Sequence, residues 1–311
     1  MFAKVETLQS PSGAILAWRH WPAAVPGKGI LIVSHGLAEH SARYARFAAV
    51  MANTGFNVYA HDHRGHGATK AADAPLGRYA QSQGAAKVLA DIRTMRNMAA
   101  GSHPGLPVIL FGHSMGGLIA LNAAEEDPEL YDGLAVWNSN FNPGLAGRAA
   151  QAILAIEKML KGSDVPSGLL SKLTFGAWAK SIPNRKTDYD WLSHDPVEVA
   201  KYIDDPLCGF DASVSMWIDL FALTFAGARQ DRLSRLPQNL PIHLVGGGED
   251  PATNGGREIS WLAQRMQNAG LKQVTTVIYP TMRHETLNEI ERNSAMQDFT
   301  GWCLSVVEHR R

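Results

Sequence analysis

The sequence predicts an α/β fold: a mostly parallel central sheet flanked by helices on both faces, with a helical insertion late in the chain. Three observations predict it. Short apolar runs alternate with segments of helical periodicity through the first 140 residues and again after Pro237. The connections are short, which favours parallel strands joined by crossover helices. Between residues 141 and 236 the alternation stops, and only helix-like segments occur.

The first strand-like run, AILAWRHW (14–21), follows the turn-forming Ser10-Pro11-Ser12-Gly13 and reads as the second arm of a hairpin. GILIVSHG (29–36) is wholly apolar at its start and rich in Ile and Val, as a strand covered on both faces would be. A helix follows, with Tyr44, Phe47, Ala48 and Met51 at helical spacing and Gly55 as its stop. FNVYAHD (56–62) is the next strand and GAAKVLADIRTMRNMAA (84–100) the next helix. Val108 to Phe111, Met115 to Ala124 and GLAVWNS (133–139) continue as strand, helix and strand. GRAAQAILAIEKMLKG, GLLSKLTFGAWAKS and DASVSMWIDLFALTFAGA then read as helices of the insertion. Strands return in LPIHLVGGGED (240–250) and QVTTVIYP (273–280) around a helix near 256–269, and a last helix spans Ser294 to Val307. Both flanks of the insertion look like parts of one sheet. The expected organisation is therefore a core of residues 1–140 and 237–311 carrying a helical cap over 141–236, in preference to a separate helical domain.

Composition narrows the function. Lys plus Arg and Asp plus Glu are balanced at 29 each, without the basic excess or stripe of a nucleic-acid binder. Lys4 and Glu6 stand where a signal peptide needs its apolar core, and no stretch approaches the roughly 20 apolar residues of a spanning helix. Cys208 and Cys303 are far apart and belong to no pairing motif, as expected of a reduced, cytoplasmic protein.

The chemistry concentrates in VILFGHSMGGLIAL (108–121), where a buried strand breaks at Gly112-His113-Ser114-Met115-Gly116 and burial resumes at once. The break matches G-x-S-x-G between a strand and a helix, the context that gives this motif meaning. Such an elbow pushes the serine hydroxyl out of the sheet, and Gly112, Gly116 and Gly117 allow strand and helix to approach. Serine needs a base and an orienting acid to act as a nucleophile. In this arrangement they follow in the order acid, then histidine. Asp250 ends a late strand across a glycine turn, with Glu249 as the alternative acid, and His284 lies in the loop after the last strand. An oxyanion would need two N–H donors: Met115, directly after the nucleophile, and Leu37, after His35-Gly36 in the loop of an early strand.

Five segments together, HGLAEHSARY (35–44), DHRGHG (62–67), GHSMGG (112–117), GGED (247–250) and RHETLNE (283–289), resemble the α/β-hydrolase superfamily. More narrowly the chain is similar to the monoacylglycerol lipase and lysophospholipase branch, with its serine-aminopeptidase-like members, over nearly its whole length. DPLCGFDASVSMW (205–217) is similar to a cap segment of bacterial members. The resemblance implies the α/β-hydrolase fold, Ser114, Asp250 and His284 as a triad, and Leu37 and Met115 as oxyanion donors. Serine at the elbow also sets the chain apart from the haloalkane-dehalogenase and epoxide-hydrolase variants, which carry aspartate there.

Two constellations have competing readings. His61, Asp62, His63 and His66 could suggest a metal site, but Gly65 stands where a metal hydrolase wants aspartate, and no second ligand cluster completes a shell. A tight loop held by Asp62 and Arg64 is the preferred reading. Ile153, Ile156, Met159, Leu160, Trp217, Phe221 and Phe225 are either an acyl-chain channel or the core of the cap. His35, Gly36, His113, Trp217 and Phe221 are the expected substrate contacts. The functional expectation is a serine hydrolase of carboxylic esters, a lysophospholipid or monoacylglycerol foremost. No metal or cofactor is implied, and contact with a membrane surface would be transient. Acyl transfer or amide and peptide cleavage by the same triad is the alternative, and a non-catalytic protein binding a hydrophobic ligand the remote one.

Overall fold

Four strands whose six residues are all buried identify the centre of the sheet, because only strands covered on both faces bury every side chain. The computed structural model describes residues 2–309. Its strands are β1 (Glu6–Gln9), β2 (Ala14–Trp21), β3 (Gly29–Ser34), β4 (Phe56–His61), β5 (Lys70–Ala71), β6 (Val108–His113), β7 (Gly133–Trp137), β8 (Ile242–Gly247) and β9 (Val274–Tyr279). They form one sheet in the order β1-β2-β4-β3-β6-β7-β8-β9, with β5 paired to β2. Every pair from β4 to β9 is parallel, and the β1–β2 hairpin and the β2–β4 pair are antiparallel. This is the α/β-hydrolase architecture expected from the sequence.

Strand alternation sends neighbouring residues to opposite faces. Ile30, Ile32 and Leu110 pack on one face against α2 (Gly84–Ser102) and α3 (Met115–Glu126). Leu31, Val33 and Phe111 pack on the other against α1 (Ala45–Asn53) and the C-terminal helix that begins at Arg292. Parallel pairing brings the carboxyl ends of β3, β6, β7 and β8 to one edge, the edge where α/β sheets carry their ligands.

Between β7 and β8 the described residues form α4 (Gly144–Lys161), α5 (Gly168–Leu173), α6 (Phe175–Ser181), α7 (Pro196–Asp204), α8 (Val214–Gly227) and α9 (Gln230–Leu233). The helix expected over GLLSKLTFGAWAKS is two, because the backbone turns at Thr174. Helix α7 is additional. Its signal is local: Asp195 caps Val197 N–H and Pro196 takes the first helical position. Helix α8 packs on α4 within the group and fastens it to α2 and α3. Two more helices, α10 (Arg257–Asn268) and α11 (Arg292–His309), complete the chain.

The histidine-rich turn is buried, and Asp62 and Arg64 hold it. One Asp62 oxygen accepts Ser41 N–H at 2.9 Å, and the other accepts Ala68 N–H at 2.8 Å. Arg64 donates to Asp91 at 3.0 Å and to Tyr79 O at 2.9 Å. Burial pushes His61 and His66 down to about 3, and lowers His63 and His35 as well. In the unfolded chain each imidazole titrates near about 6.5. The unfolded state therefore holds more protons below that value. Stability is fully present above it and is lost as pH falls, by ~1.4 kcal/mol per pH unit for each imidazole. Urea melts from pH 7 to pH 5 test this, and His61→Phe is expected to make the slope shallower by one imidazole's share. A stability independent of pH over that interval would contradict it.

Candidate active site

Ser114 joins β6 to α3 with φ 54° and ψ −119°, a left-handed conformation that a non-glycine residue adopts only where its surroundings enforce it. Two hydrogen bonds do so: Ser114 N–H donates to Trp137 O at 2.8 Å, and Ser139 Oγ donates to Ser114 O at 2.7 Å. The flanking glycines are required by distance. A Cβ on Gly116 would lie 2.0 Å from Ser34 O, and one on Gly112 would lie 2.2 Å from Gly116 O. Met115 opens α3, so its N–H belongs to the first turn, which has no intrahelical acceptor.

Asp250 is fully buried after β8, and His284 is nearly so in the loop after β9. His284 Nδ1 lies 3.0 Å from both carboxylate oxygens of Asp250. The carboxylate also accepts Ala252 N–H at 2.9 Å, Thr253 Oγ1 at 2.8 Å and Asn138 Nδ2 at 3.2 Å. Burial alone would raise Asp250, but the charge and hydrogen bond of His284, with the Thr253 and Asn138 bonds, hold it below the ordinary carboxylate range. With Nδ1 occupied, Nε2 is the ring nitrogen left for a proton from elsewhere. Glu249 is different: its carboxylate is half exposed and meets His194 Nε2 at 3.2 Å. Geometry separates the two acids that the sequence leaves open.

The loop after β3 supplies Gly36 and Leu37. Gly36 N–H donates to Glu39 at 2.6 Å. Arg43 bridges Glu39 at 2.7 Å and Glu285, beside His284, at 2.5 Å. His113 Nε2 donates to His284 O at 3.0 Å, so the residue before Ser114 props the loop that carries the imidazole. Burial would lower His113, but its hydrogen bond and charge interaction with Glu39 raise it.

Gly36, Leu37, His113, Ser114 and His284 line one cleft of about 460 Å³, walled further by Phe175, Trp191, Leu192, Tyr202 and Phe210. That volume suits a drug-sized or single-chain lipid molecule. Three expected contacts lie elsewhere. His35 is buried behind the loop, donating through Nδ1 to Gly36 O at 2.8 Å and accepting His63 N–H at 2.9 Å through Nε2. Trp217 is 6% exposed and sits in the core under the cleft wall, its ring 5.8 Å from Phe175. Phe221 packs against that same core and stacks toward Phe225. An amphipathic stripe does not reveal which layer it enters: Trp217 meets Phe175 of α6, and Phe221 lies beside Trp217 and Phe225.

The sequence reading missed Trp191, whose ring lies 4.9 Å from His284. It also missed the backbone bond from Glu285 N–H to Leu192 O at 2.7 Å. Nothing local marks this segment. The Glu39–Arg43 pair, by contrast, stands at i,i+4 spacing within HGLAEHSARY and was there to be found. Among the described residues, His40, Asp205 and Cys208 have ligand atoms within 4.8 Å of one another. His40 Nε2 and Asp205 already pair at 2.8 Å, and burial pushes the Cys208 thiol up, against the thiolate a metal needs.

A mostly parallel sheet with its glycine-flanked serine elbow and a buried Asp–His pair at one edge defines an α/β hydrolase. Over residues 26–291 the chain matches the family described as serine aminopeptidase, S33, and it belongs to that family. It is 28% identical to a monoacylglycerol lipase of Mycolicibacterium smegmatis over 94% of both chains. It is also 28% identical to mouse monoglyceride lipase, over 97% of this chain and 90% of the other. Among solved structures, a lipase in its open form superposes with a TM-score of 0.83 at 26% identity, covering 98% of this chain and 99% of that one. A thermostable carboxyl esterase from Bacillus coagulans shares the fold, with a TM-score of 0.88 at 24% identity over 98% of both chains. The chain is thus a monoacylglycerol lipase-like α/β hydrolase. Among the described residues, no helix is long and apolar enough to cross a membrane.

Proposed function

We propose that the protein hydrolyses carboxylic esters of single-chain lipids, monoacylglycerols foremost, through an acyl-enzyme on Ser114. Ser114 Oγ attacks the ester carbonyl while His284 Nε2 takes its proton. The N–H groups of Leu37 and Met115 receive the oxyanion. His284 then protonates the leaving alcohol, and water releases the fatty acid by the same route. Asp250 fixes the imidazole tautomer and stabilises the imidazolium.

One observation carries the reading: the strained Ser114 and His284, held at 3.0 Å by Asp250, both line a cleft in which Leu37, Phe175, Trp191, Leu192 and Phe210 stand beside charged residues such as Lys172, Lys180, Arg185 and Asp188. The lipase relatives support the substrate class. Residues 141–236 are the cap in this reading, and residues 1–140 and 237–311 the catalytic core.

A screen of purified protein over monoacylglycerols and lysophospholipids of graded chain length, beside aminoacyl amides, tests the proposal. Turnover of the glycerol esters above the amides is expected. Amide cleavage without ester cleavage would overturn it.

A further inference from the structure

The loop that carries His284 has little regular structure of its own. Between β9 and α11 its regular structure, among the described residues, is the short 3₁₀ turn Thr286–Asn288. A general base must nevertheless be held closely in place, because small misplacements of reacting groups cost orders of magnitude in rate. The hold on this loop comes from outside it.

The backbone bonds around His284 identify that hold. Glu285 N–H donates to Leu192 O at 2.7 Å and His284 N–H to Trp191 O at 3.4 Å. Arg283 N–H donates instead to the carboxylate of Glu289 at 2.8 Å. Trp191 and Leu192 belong to residues 190–195, an irregular segment between α6 and α7. Glu289 bonds that segment as well, accepting His194 N–H at 3.1 Å and His194 Nδ1 at 2.9 Å. It also accepts Ile290 N–H at 3.2 Å. Three further contacts close the same seam. Arg283 Nη1 donates to Asp190 O at 2.7 Å, Ser193 Oγ donates to Asn288 O at 3.0 Å, and Arg292 pairs with Asp195 at 2.8 Å.

Glu289 is fully buried. A carboxylate in such a place is costly unless donors meet its oxygens, and removing it leaves those donors without an acceptor. One side chain thus bonds the main chain of both segments, directly beside the histidine. Glu289 does not line the cleft, so its effect on the chemistry passes through the loop.

We infer that Glu289 is a positioning residue for His284: by clasping residues 190–195 to the histidine loop, it keeps the imidazole in register with Asp250 at the Ser114 cleft. The inference rests on the ester-hydrolase reading, in which His284 is the base. Glu289→Gln keeps the shape but loses the charge and one acceptor oxygen. It is expected to lower kcat by about tenfold with KM within about twofold of the wild type, and Glu289→Ala to lower kcat by about a hundredfold. The proton between His284 Nδ1 and Asp250 supplies a second readout, a downfield proton resonance that is independent of turnover. That resonance is expected to be sharp in the wild type and shifted or broadened in Glu289→Gln. His194→Ala removes one donor at the partly exposed edge of the seam and leaves the carboxylate in place. A loss in kcat of about threefold, with the same change in the resonance, is expected there, and this variant decides the matter if Glu289→Gln does not fold. Wild-type kcat and an unchanged resonance in the folded variant would overturn the inference. So would a raised KM with kcat unchanged, which marks a binding role. A wild type that cleaves no ester contradicts the hydrolase reading instead, and the resonance alone then reports whether Glu289 holds the loop.

Discussion

Replacing Ser114 with alanine is expected to lower ester turnover by on the order of 10⁵-fold or more while leaving the fold and its thermal stability in place. The elbow is held through backbone groups, the N–H to Trp137 O and the carbonyl from Ser139 Oγ, and alanine retains both. Its φ of 54° strains alanine about as much as serine, so the variant carries little additional conformational cost. In the proposed mechanism, the variant loses the oxygen that forms the acyl bond. Residual rate would come from the oxyanion donors and the cleft acting on water. Circular dichroism and a melting curve beside the kinetic assay separate loss of chemistry from loss of structure.

The second large effect concerns the acid. Asp250→Asn is expected to reduce kcat by about 10⁴-fold, whereas Glu249→Gln is expected to change it by about twofold or less. The carboxylate of Asp250 accepts four different donors in a site with no exposure. An asparagine there keeps the shape but turns an N–H toward His284 Nδ1. The imidazole then carries its proton on Nε2 and cannot accept one from Ser114. Glu249 is half exposed and meets His194, so neutralising it alters only a partly solvated contact of small worth. Equal losses in both variants would mean that the pair geometry is not what orients the base.

Much of this fold was legible because its signals are local. The buried strands announce themselves as apolar runs, and the elbow as glycines at fixed offsets around Ser114. The expected triad of Ser114, Asp250 and His284 came from the order of nucleophile, acid and histidine that goes with such an elbow, applied to the ends of the later strands. What stayed illegible depends on tertiary direction. The choice between Asp250 and Glu249 is a question of which side chain the turn after β8 sends inward, and neighbouring residues in such a turn differ only in that. The apolar residues of the helical segment were harder still. Trp217 and Phe221 share helical periodicity with Ile156 and Met159, yet the first pair packs inward and the second faces solvent. Periodicity says that a face exists and is silent about what lies opposite. Trp191 packs on His284 from a segment without regular structure, where sequence carries no positional information.

The central claim is that Ser114 is an activated nucleophile. Incubation with a fluorophosphonate, followed by peptide mapping by mass spectrometry, tests it most directly. A single adduct on the peptide carrying Ser114, absent after His284→Ala in a folded variant, is the expected result. An unlabelled protein, or an adduct on another serine, would contradict it.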